Sequence, residues 1–264
     1  MEDFQGKRAV ITGGGSGMGR ALAQELTAEG CHVALCDLSA ESMAETKDLC
    51  AAAMSQGTQV STHICDVSDE EQVVALRDAV VAEHNTDHIN LLFNNAGIGG
   101  GGSFLMDDRD EWERTFDICW YGVYYCTRAF MPLLVASEQA HLINTSSVNG
   151  FWACLGPRTS HTAYSAAKFA VKGFSEALLT DLRLNAPHVK VSVVMPGHIG
   201  TGIVSNTTLA QKHGDPLRDN TLPASLKQRA TNFRENAPTT AAQASTIILN
   251  GVRQDRWRIL VGED

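Results

Sequence analysis

The sequence lacks the residue spacings that mark most metal and disulfide sites. None of its seven cysteines stands in a CxxC pair, and none of its nine histidines belongs to an HExxH or similar ligand pattern. The cysteines are odd in number and lie mostly in apolar runs, which is typical of reduced, buried thiols. We therefore expect no metal centre and no disulfide framework.

Positive charge is also scarce. The chain has 21 Lys and Arg against 30 Asp and Glu, which gives a net charge of −9. Nucleic acids and anionic membranes attract basic surfaces, so neither is an expected partner. A small-molecule substrate fits this charge better.

No apolar run approaches the ~20 residues of a membrane span. The first predicted strand begins close to the N-terminus and leaves no room for a signal peptide, so we expect a soluble, cytoplasmic protein. The 264 residues, 44% of them hydrophobic, fit one large α/β domain over 1–264.

A strand, a glycine turn and a helix follow one another near the start of the chain. The apolar run Lys7–Thr12 leads into the glycine-rich stretch 13–19, and Arg20–Glu29 has a helical pattern. Glycines allow a tight turn and let a pyrophosphate approach the helix N-terminus, where free N–H groups and the helix dipole favour an anion. The pattern predicts a nucleotide site.

An acid follows the second apolar run. Cys31–Cys36 ends at Asp37, eighteen residues beyond Gly19. A carboxylate at this point accepts hydrogen bonds from a ribose diol and repels a 2′-phosphate. The sequence therefore predicts NAD as the cofactor rather than NADP.

Predicted strands and helices alternate along the rest of the chain, which indicates a doubly wound, Rossmann-like parallel sheet of about seven strands with helices on both faces. A helix is predicted over Ser68–His84, with Ser68 as N-cap and Glu71 completing a capping box. Long helices are predicted over Asp110–Val135 and Thr162–Leu184. The remaining predicted strands are Gln59–Cys65, Ile89–Phe93, His141–Thr145, Lys190–Val194 and Arg258–Val261.

The segment 200–238 interrupts this alternation. It is polar, contains Pro216 and Pro223, and has only short helical stretches. One interpretation is a loosely packed surface insertion. We favour a substrate-binding lid, because ligands of such sheets bind beyond the carboxyl ends of the strands and the segment follows strand six.

Tyr164 and Lys168 are four residues apart and would share one face of a helix. An ammonium group near a phenol favours the phenolate, so the pair is a candidate acid/base device. An ordinary amphipathic helix carrying two common residues is the alternative for the spacing alone.

Together, these features resemble the short-chain dehydrogenase/reductase family over nearly the whole chain. The glycine stretch matches the TGxxxGxG turn, Asn94 to Gly97 match NNAG, Tyr164 and Lys168 match YxxxK, and Pro196 with Gly197 match the PG motif. The resemblance implies an oxidoreductase that transfers a hydride between NAD(H) and a secondary alcohol or ketone.

The resemblance also implies roles for individual residues. Tyr164 would exchange a proton with the substrate oxygen, Lys168 would lower the pKa of Tyr164 and hydrogen-bond the nicotinamide ribose, and Ser147, rather than Ser146, would hold the same oxygen. The implied cofactor-binding residues are Gly13, Ser16, Gly17, Met18, Gly19, Asp37, Leu38, Asp66, Val67, Asn95, Ala96, Gly97, Tyr164, Lys168, Pro196, Gly197, Ile199 and Thr201.

The chain departs from the family pattern at two places. Cys119 stands where the family usually has an Asn whose contacts hold a proton-relay water. A thiol bonds weakly, so either the backbone carbonyl alone anchors the water or the relay differs; we favour the first. The second departure is the separation of Ser147 and Tyr164, 164 − 147 = 17 residues, whose surplus in 153–162 must bulge outward.

Residues after the central strands are candidates for the substrate pocket, chiefly Phe151, Trp152 and His198, with Ile98 and Phe104. Aromatic rings there indicate a bulky apolar alcohol or ketone. Alternatively, Phe151 and Trp152 pack against the lid or a second subunit. Arg158 is the one cation that could meet a substrate carboxylate.

Two other functions are compatible with the motifs. One is an enoyl reductase or epimerase on the same scaffold, although YxxxK with a serine favours carbonyl chemistry. The other is an NAD-binding regulator or sensor without turnover, for which Cys119 is the support. The family further implies a homotetramer or homodimer built through the long helices, where Trp120, Tyr124 and Phe130 suggest a second buried face.

Overall fold

A seven-stranded parallel sheet forms the centre of the protein in the computed structural model, which describes residues 1–154, 160–211 and 223–263. The strand order is β3-β2-β1-β4-β5-β6-β9, and every neighbouring pair runs parallel. The strands are β1 Arg8–Thr12, β2 His32–Asp37, β3 Val60–Ile64, β4 Leu91–Asn94, β5 Ala140–Thr145, β6 Val189–Pro196 and β9 Arg258–Val261. A separate two-stranded pair is formed by β7 Ile199–Gly200 and β8 Thr239–Thr240. The predicted Rossmann-like fold is confirmed.

Helices cover both faces of the sheet, because parallel strands need crossover connections and the apolar runs are buried on both sides. On one face Leu22, Met43 and Ile248 pack against the sheet, and on the other Leu76, Phe130 and Leu182 do so. The helices are α1 Gly17–Ala28, α2 Ala40–Ala51, α3 Glu70–Glu83, α4 Arg109–Phe116, α5 Gly122–Val135, α6 Thr162–Asn185, α7 Ile203–Gln211, α8 Ala224–Glu235 and α9 Ala241–Arg253.

The predicted long helix Asp110–Val135 is interrupted. A π-helical turn, Asp117–Tyr121, separates α4 from α5 and contains the buried Cys119. Just after it, a Cβ on Gly122 would lie 2.7 Å from a methyl of Val67, so this helix approaches β3 more closely than a larger residue would permit. A one-residue widening of a helical turn leaves the apolar period almost unchanged, which is why the pattern did not reveal it.

The predicted N-cap of α3 was wrong. Asp69, not Ser68, caps the helix by accepting hydrogen bonds from the backbone N–H of Glu71 and Gln72, at 3.0 and 3.2 Å. Ser68 instead donates its hydroxyl proton to Asp66, at 2.7 Å. A carboxylate is a stronger acceptor than a hydroxyl for the orphan N–H groups and also suits the helix dipole.

The strand order reverses direction at β1, which lies between β2 and β4. The crevice beyond the carboxyl ends of these strands is the usual ligand position in such sheets. The described part of 200–238 contributes α7 and α8 beside this crevice. Residues 212–222, including Pro216, lie outside the described residues, as do 155–159 of the predicted bulge. Within the described residues, no helix has both the length and the apolar character needed to cross a membrane.

Candidate active site

The glycine turn is locked against the loop that follows β4. Gly13 has φ +67°, and a Cβ there would lie 2.9 Å from Ala96 Cα. Asn95 donates its side-chain amide to the Thr12 carbonyl at 3.0 Å, while Thr12 Oγ1 accepts the N–H of Ala96 at 3.0 Å. A Cβ on Gly19 would meet the carbonyl oxygen of Gly13. These close backbone contacts leave the N-terminus of α1 open toward the cavity.

Asp37 sits at the end of β2 and faces the same turn. Its Oδ2 accepts the N–H of Gly15 at 3.0 Å, and its Oδ1 accepts the N–H of Leu38 at 2.8 Å. The carboxylate is thereby oriented by backbone donors while remaining part of the cavity wall. The position suits a group that offers hydroxyl donors and disfavours a phosphate.

A cavity of about 980 Å³ runs along these strand ends. It brings together most of the predicted cofactor residues: Gly13, Ser16, Gly17, Met18, Asp37, Leu38, Asp66, Val67, Asn95, Ala96, Gly97 and Thr201. Gly19 is buried beneath the turn. Five other predicted cofactor residues do not line the cavity: Tyr164, Lys168, Pro196, Gly197 and Ile199. Gly197 donates its N–H to the Val261 carbonyl at 2.9 Å.

Other residues line the cavity that the motifs did not identify. Ser39 and Ser42 follow Asp37 at the start of α2, where the distance from the acid was the available signal. The α7 residues Ile203, Asn206 and Leu209 carry no motif and could be placed only as part of the segment after β6. Asn206 donates its amide to Ser16 Oγ at 2.9 Å, so α7 reaches across the cavity to the glycine turn.

Asp66, at the end of β3, is held by two partners. Arg114 donates from Nη2 to Asp66 Oδ2 at 2.6 Å, and Ser68 donates to Oδ1 from its backbone N–H at 3.0 Å and from its hydroxyl. Burial acts to raise the pKa of Asp66, but the hydrogen bonds from Arg114 and Ser68 outweigh it and leave the pKa below its usual value. Arg114 was not identified from the sequence, because it matches no motif that we used.

Ser147, Tyr164 and Lys168 lie together beyond the end of β5. Lys168 is 2% exposed, donates to the Thr145 carbonyl at 2.8 Å and lies 5.5 Å from the centre of the Tyr164 ring. Ser147 is hydrogen-bonded to Tyr164 and accepts the N–H of Asn149 at 3.2 Å. A Cβ on Gly97 would be 3.5 Å from Lys168 Nζ, so the trio lies next to the cavity residue Gly97, although none of the three lines the cavity itself.

The expected lowering of the Tyr164 pKa is not found in this geometry. Burial raises the pKa of Tyr164 well above its usual value and Cys119 adds to the rise, while the hydrogen bond with Ser147 acts in the opposite direction. Burial likewise lowers the pKa of Lys168. Desolvation is the largest effect on both pKa values. The ammonium group is bonded to the Thr145 carbonyl and lies over the phenol ring, and it does not offset the effect of burial on Tyr164.

Cys119 lies beside Gly97. It is fully buried and donates its thiol to the Ile98 carbonyl at 3.2 Å. A Cβ on Gly97 would be 3.7 Å from its Sγ, so the thiol and the Lys168 ammonium group lie on the same side of this glycine. Of the other cysteines, five are buried and Cys154 is exposed.

The predicted substrate residues do not converge on the cavity. Phe151 lies between the cations of Lys172 and Arg258, at 5.8 and 5.2 Å from its ring centre. Trp152 is 71% exposed, and Phe104 is exposed as well. His198 donates from Nε2 to the Phe233 carbonyl at 2.7 Å and packs against that ring. Of this group only Ile98 lines the cavity, and Arg158 lies outside the described residues.

Known proteins with similar sequences are oxidoreductases by name. A family model described as short chain dehydrogenase matches residues 7–212. SadH of Mycobacterium tuberculosis is 38% identical over 262 residues, which cover 99% of this chain and 88% of SadH. Epidermal retinol dehydrogenase 2 of Homo sapiens is 33% identical over 209 residues, covering 78% of this chain and 65% of that protein.

Solved structures give the same result. A short chain dehydrogenase/reductase from Burkholderia phymatum, determined with NAD, has a TM-score of 0.85 at 32% identity and covers 98% of this chain and 90% of that one. A metagenomic short-chain oxidoreductase determined with NADP has a TM-score of 0.68 at 24% identity, with coverage of 98% and 97%, and is similar in fold alone.

The parallel sheet with a glycine turn at its switch point defines a Rossmann-like nucleotide-binding protein. More narrowly, this chain belongs to the short-chain dehydrogenase/reductase family, and the resemblance predicted from its motifs is confirmed.

Proposed function

We propose that this protein is an NAD-dependent dehydrogenase that interconverts a secondary alcohol and a ketone with a bulky apolar skeleton. The observation that carries the proposal is the cluster of Ser147, Tyr164 and Lys168 beside the cavity residue Gly97, in which Ser147 and Lys168 are buried and Tyr164 is half-buried. A phenol, a hydroxyl and an ammonium group in contact can hold a carbonyl oxygen and move one proton to or from it.

Ser147, Tyr164 and Lys168 then have separate roles in the reaction. Ser147, whose Oγ accepts the Asn149 N–H, would turn its hydroxyl proton from Tyr164 to the substrate oxygen. Tyr164 takes the hydroxyl proton in oxidation and returns it in reduction. Lys168 supplies positive charge behind the phenol. When bound, NAD accepts or supplies the hydride at C4 of its nicotinamide.

The residues around the cavity fit a dinucleotide. The glycines leave room where Cβ atoms would otherwise collide with Ala96 and Thr201, and Ser16 and the α1 N-terminus offer donors to a pyrophosphate. Asp37 is the reason for preferring NAD: its carboxylate would accept the ribose hydroxyls and repel a 2′-phosphate.

The substrate class rests on apolar groups near the trio. Ile98, Ile118, Ile203 and Leu209 line the cavity, and the last two belong to the segment 200–238 that we propose as the lid. Thr207 of the same helix accepts the N–H of Gly99 at 2.8 Å, so α7 is seated on the loop beside the trio. The name of the human relative, a retinol dehydrogenase, refers to an alcohol with a bulky apolar skeleton, although a primary one.

A panel of secondary alcohols, from small aliphatic to bulky apolar ones, tests the proposal with NAD⁺ at alkaline pH. We expect NADH absorbance to appear with the bulky members. An NAD-binding regulator, for which Cys119 in place of an Asn is the supporting observation, would bind NADH in a fluorescence titration and give no absorbance change with any alcohol or ketone.

We also propose that the protein is cytoplasmic and forms a dimer or tetramer through α4, α5 and α6. Trp120, Tyr121, Tyr124 and Tyr125 form a contiguous aromatic patch with Phe174 of α6, whereas Phe130 lies in the core rather than on the outer face. Light scattering after size-exclusion chromatography tests this, and a monomer would exclude it.

A further inference from the structure

Arg114, Ser68 and Asp66 form a closed ring of hydrogen bonds next to the cavity. The two terminal nitrogens of the Arg114 guanidinium are both used, Nη2 on Asp66 Oδ2 at 2.6 Å and Nη1 on Ser68 Oγ. The Ser68 hydroxyl in turn donates a hydrogen bond to Asp66 Oδ1 at 2.7 Å. The ring joins α4 to the end of β3, elements that are 46 and 48 residues apart at these contacts.

Three of the acceptor positions on the Asp66 carboxylate are filled. Oδ1 accepts the backbone N–H and the hydroxyl of Ser68, and Oδ2 accepts the guanidinium. A carboxylate has about four such positions, so one remains, on Oδ2. Asp66 lines the cavity and Arg114 does not, which leaves the carboxylate as the group that a ligand would meet.

The position of Asp66 indicates which part of a dinucleotide it meets. Along the strand ends, the glycine turn follows β1, Asp37 ends β2 and Asp66 follows β3. The family resemblance implies that the acid after β3 contacts adenine, and this order of the strand ends agrees with it if the pyrophosphate lies at the turn and the ribose at Asp37. The exocyclic amino group of adenine is a donor and suits the single remaining acceptor.

We propose that Arg114 is a positioning residue for adenine recognition: it fixes the Asp66 carboxylate so that one oxygen faces the 6-amino group of the dinucleotide. The inference rests on the proposed function, since it requires an adenine dinucleotide in the cavity. Arg114 acts through Asp66 and touches no part of the ligand itself.

The surroundings explain why an arginine is needed. The side chains of Arg114 and Asp66 are 23% and 15% exposed, so the pair is only partly hydrated. Burial raises the pKa of the nearby Asp117, and the Glu113 and Asp66 carboxylates add to this rise, so Asp66 lies among like charges. Without Arg114 the Asp66 carboxylate would lose its cationic partner among like charges, and its Oδ2 would have no protein donor to hold it in place.

The test compares NADH with nicotinamide hypoxanthine dinucleotide (deamino-NADH), in which a carbonyl oxygen replaces the 6-amino group. Dissociation constants are measured by fluorescence titration. We expect the wild-type protein to bind NADH about tenfold more tightly, the value of one hydrogen bond to a charged group. In Arg114→Met the preference should fall to about twofold, mainly through weaker NADH binding.

Two further variants distinguish a positioning role of Arg114 from a general effect on the structure of the site. Arg109→Met removes a charge from the same helix, at an 85% exposed side chain that pairs only with Glu113 in the described contacts, and should keep the tenfold preference. Asp66→Ala should abolish the preference, and adding Arg114→Met to it should change the ratio no further, because Arg114 acts through Asp66.

The outcomes are distinct. Equal weakening of both dinucleotides in Arg114→Met, or an unchanged ratio, would overturn the proposal. If that variant does not fold, Arg114→Lys keeps the charge with a single donor nitrogen; a ratio reduced below that of the wild type supports the proposal and an unchanged ratio overturns it. Failure of the wild-type protein to bind either dinucleotide would instead reject the proposed function.

Discussion

Lys168 places its ammonium nitrogen 5.5 Å from the centre of the Tyr164 ring and bonds to the Thr145 carbonyl at 2.8 Å. The cation therefore lies over the face of the phenol rather than at its oxygen. Burial controls the ionisation of both groups, in opposite directions. The pH dependence of catalysis should follow from this arrangement.

Tyr164→Phe should lower kcat at least a hundredfold, because it removes the proposed proton-transferring hydroxyl while keeping the ring. The Kd for NADH should stay within about twofold, since the cavity wall is formed by other residues. Stopped-flow and fluorescence titration measure the two quantities. Normal turnover in this variant would rule out the assigned role.

The wild-type pH profile provides a second check. The raised pKa of Tyr164 means that the phenolate needed to accept a proton becomes more populated as pH rises through the alkaline range. Alcohol oxidation should accelerate from pH 7 to pH 10, whereas ketone reduction, which needs the protonated phenol, should not. An oxidation rate that falls over this range would contradict the prediction.

Asp37→Ala combined with Leu38→Arg should shift the cofactor preference toward NADP by about a hundredfold or more in kcat/KM. The carboxylate that repels the 2′-phosphate is lost, and a guanidinium that pairs with it is gained. Asp48→Ala, an acid on α2 outside the cavity wall, is the matched control and should leave the preference unchanged. An unchanged ratio in the double variant would mean that another group selects the cofactor.

Cys119→Asn should retain or increase activity. The thiol already donates to the Ile98 carbonyl, and an amide nitrogen can donate to the same oxygen more strongly. Cys126→Ala, which alters another fully buried thiol without contact to the trio, controls for core effects. Steady-state kinetics with NAD⁺ provide the comparison. A large loss of activity in Cys119→Asn, in a variant that remains folded, would show that the thiol has a role of its own.

The free energy of unfolding should decrease as pH falls from about 7 toward 4. Burial lowers the pKa of His84 and of His141 from 6.5 to about 4. Because the unfolded state binds protons at higher pH than the folded state, the stability contributed above pH 6.5 is lost as pH falls through the folded pKa values.

Each histidine should account for about 2 to 3 kcal/mol of the decrease in the free energy of unfolding between pH 7 and pH 4. Urea unfolding at several pH values measures the loss. His84→Gln and His141→Gln should each flatten the profile, whereas His188→Gln, at an exposed hydrogen bond, should not. A wild-type profile that is level between pH 7 and pH 4 would contradict the assignment.

Most of the fold could be predicted from the sequence because the strands are short apolar runs separated by helices with clear periods. The glycine turn and Asp37 do line the cavity, as expected, because local backbone requirements fix their positions. The π-helical turn at Asp117–Tyr121 was missed because it alters the apolar period by only one residue. Ser68 was misassigned because the neighbouring Asp69 competes for the same N–H groups.

The substrate side was less predictable, because it depends on contacts between distant segments. Phe151 and His198 occupy the expected sequence positions, yet their rings are held by Arg258 and Phe233, from the last strand and from α8. Arg114 was missed for a similar reason: its partners in 66–68 come from another strand end, and no local pattern indicates the pairing.

Helix α7 has one further consequence. Asn206 ties it to Ser16 of the glycine turn, and Thr207 ties it to Gly99 beside the trio. A single rigid element therefore touches both the nucleotide side and the alcohol side of the cavity. Entry and departure of the two reactants should be kinetically linked, so a tight competitive inhibitor of the alcohol should also slow the escape of NADH.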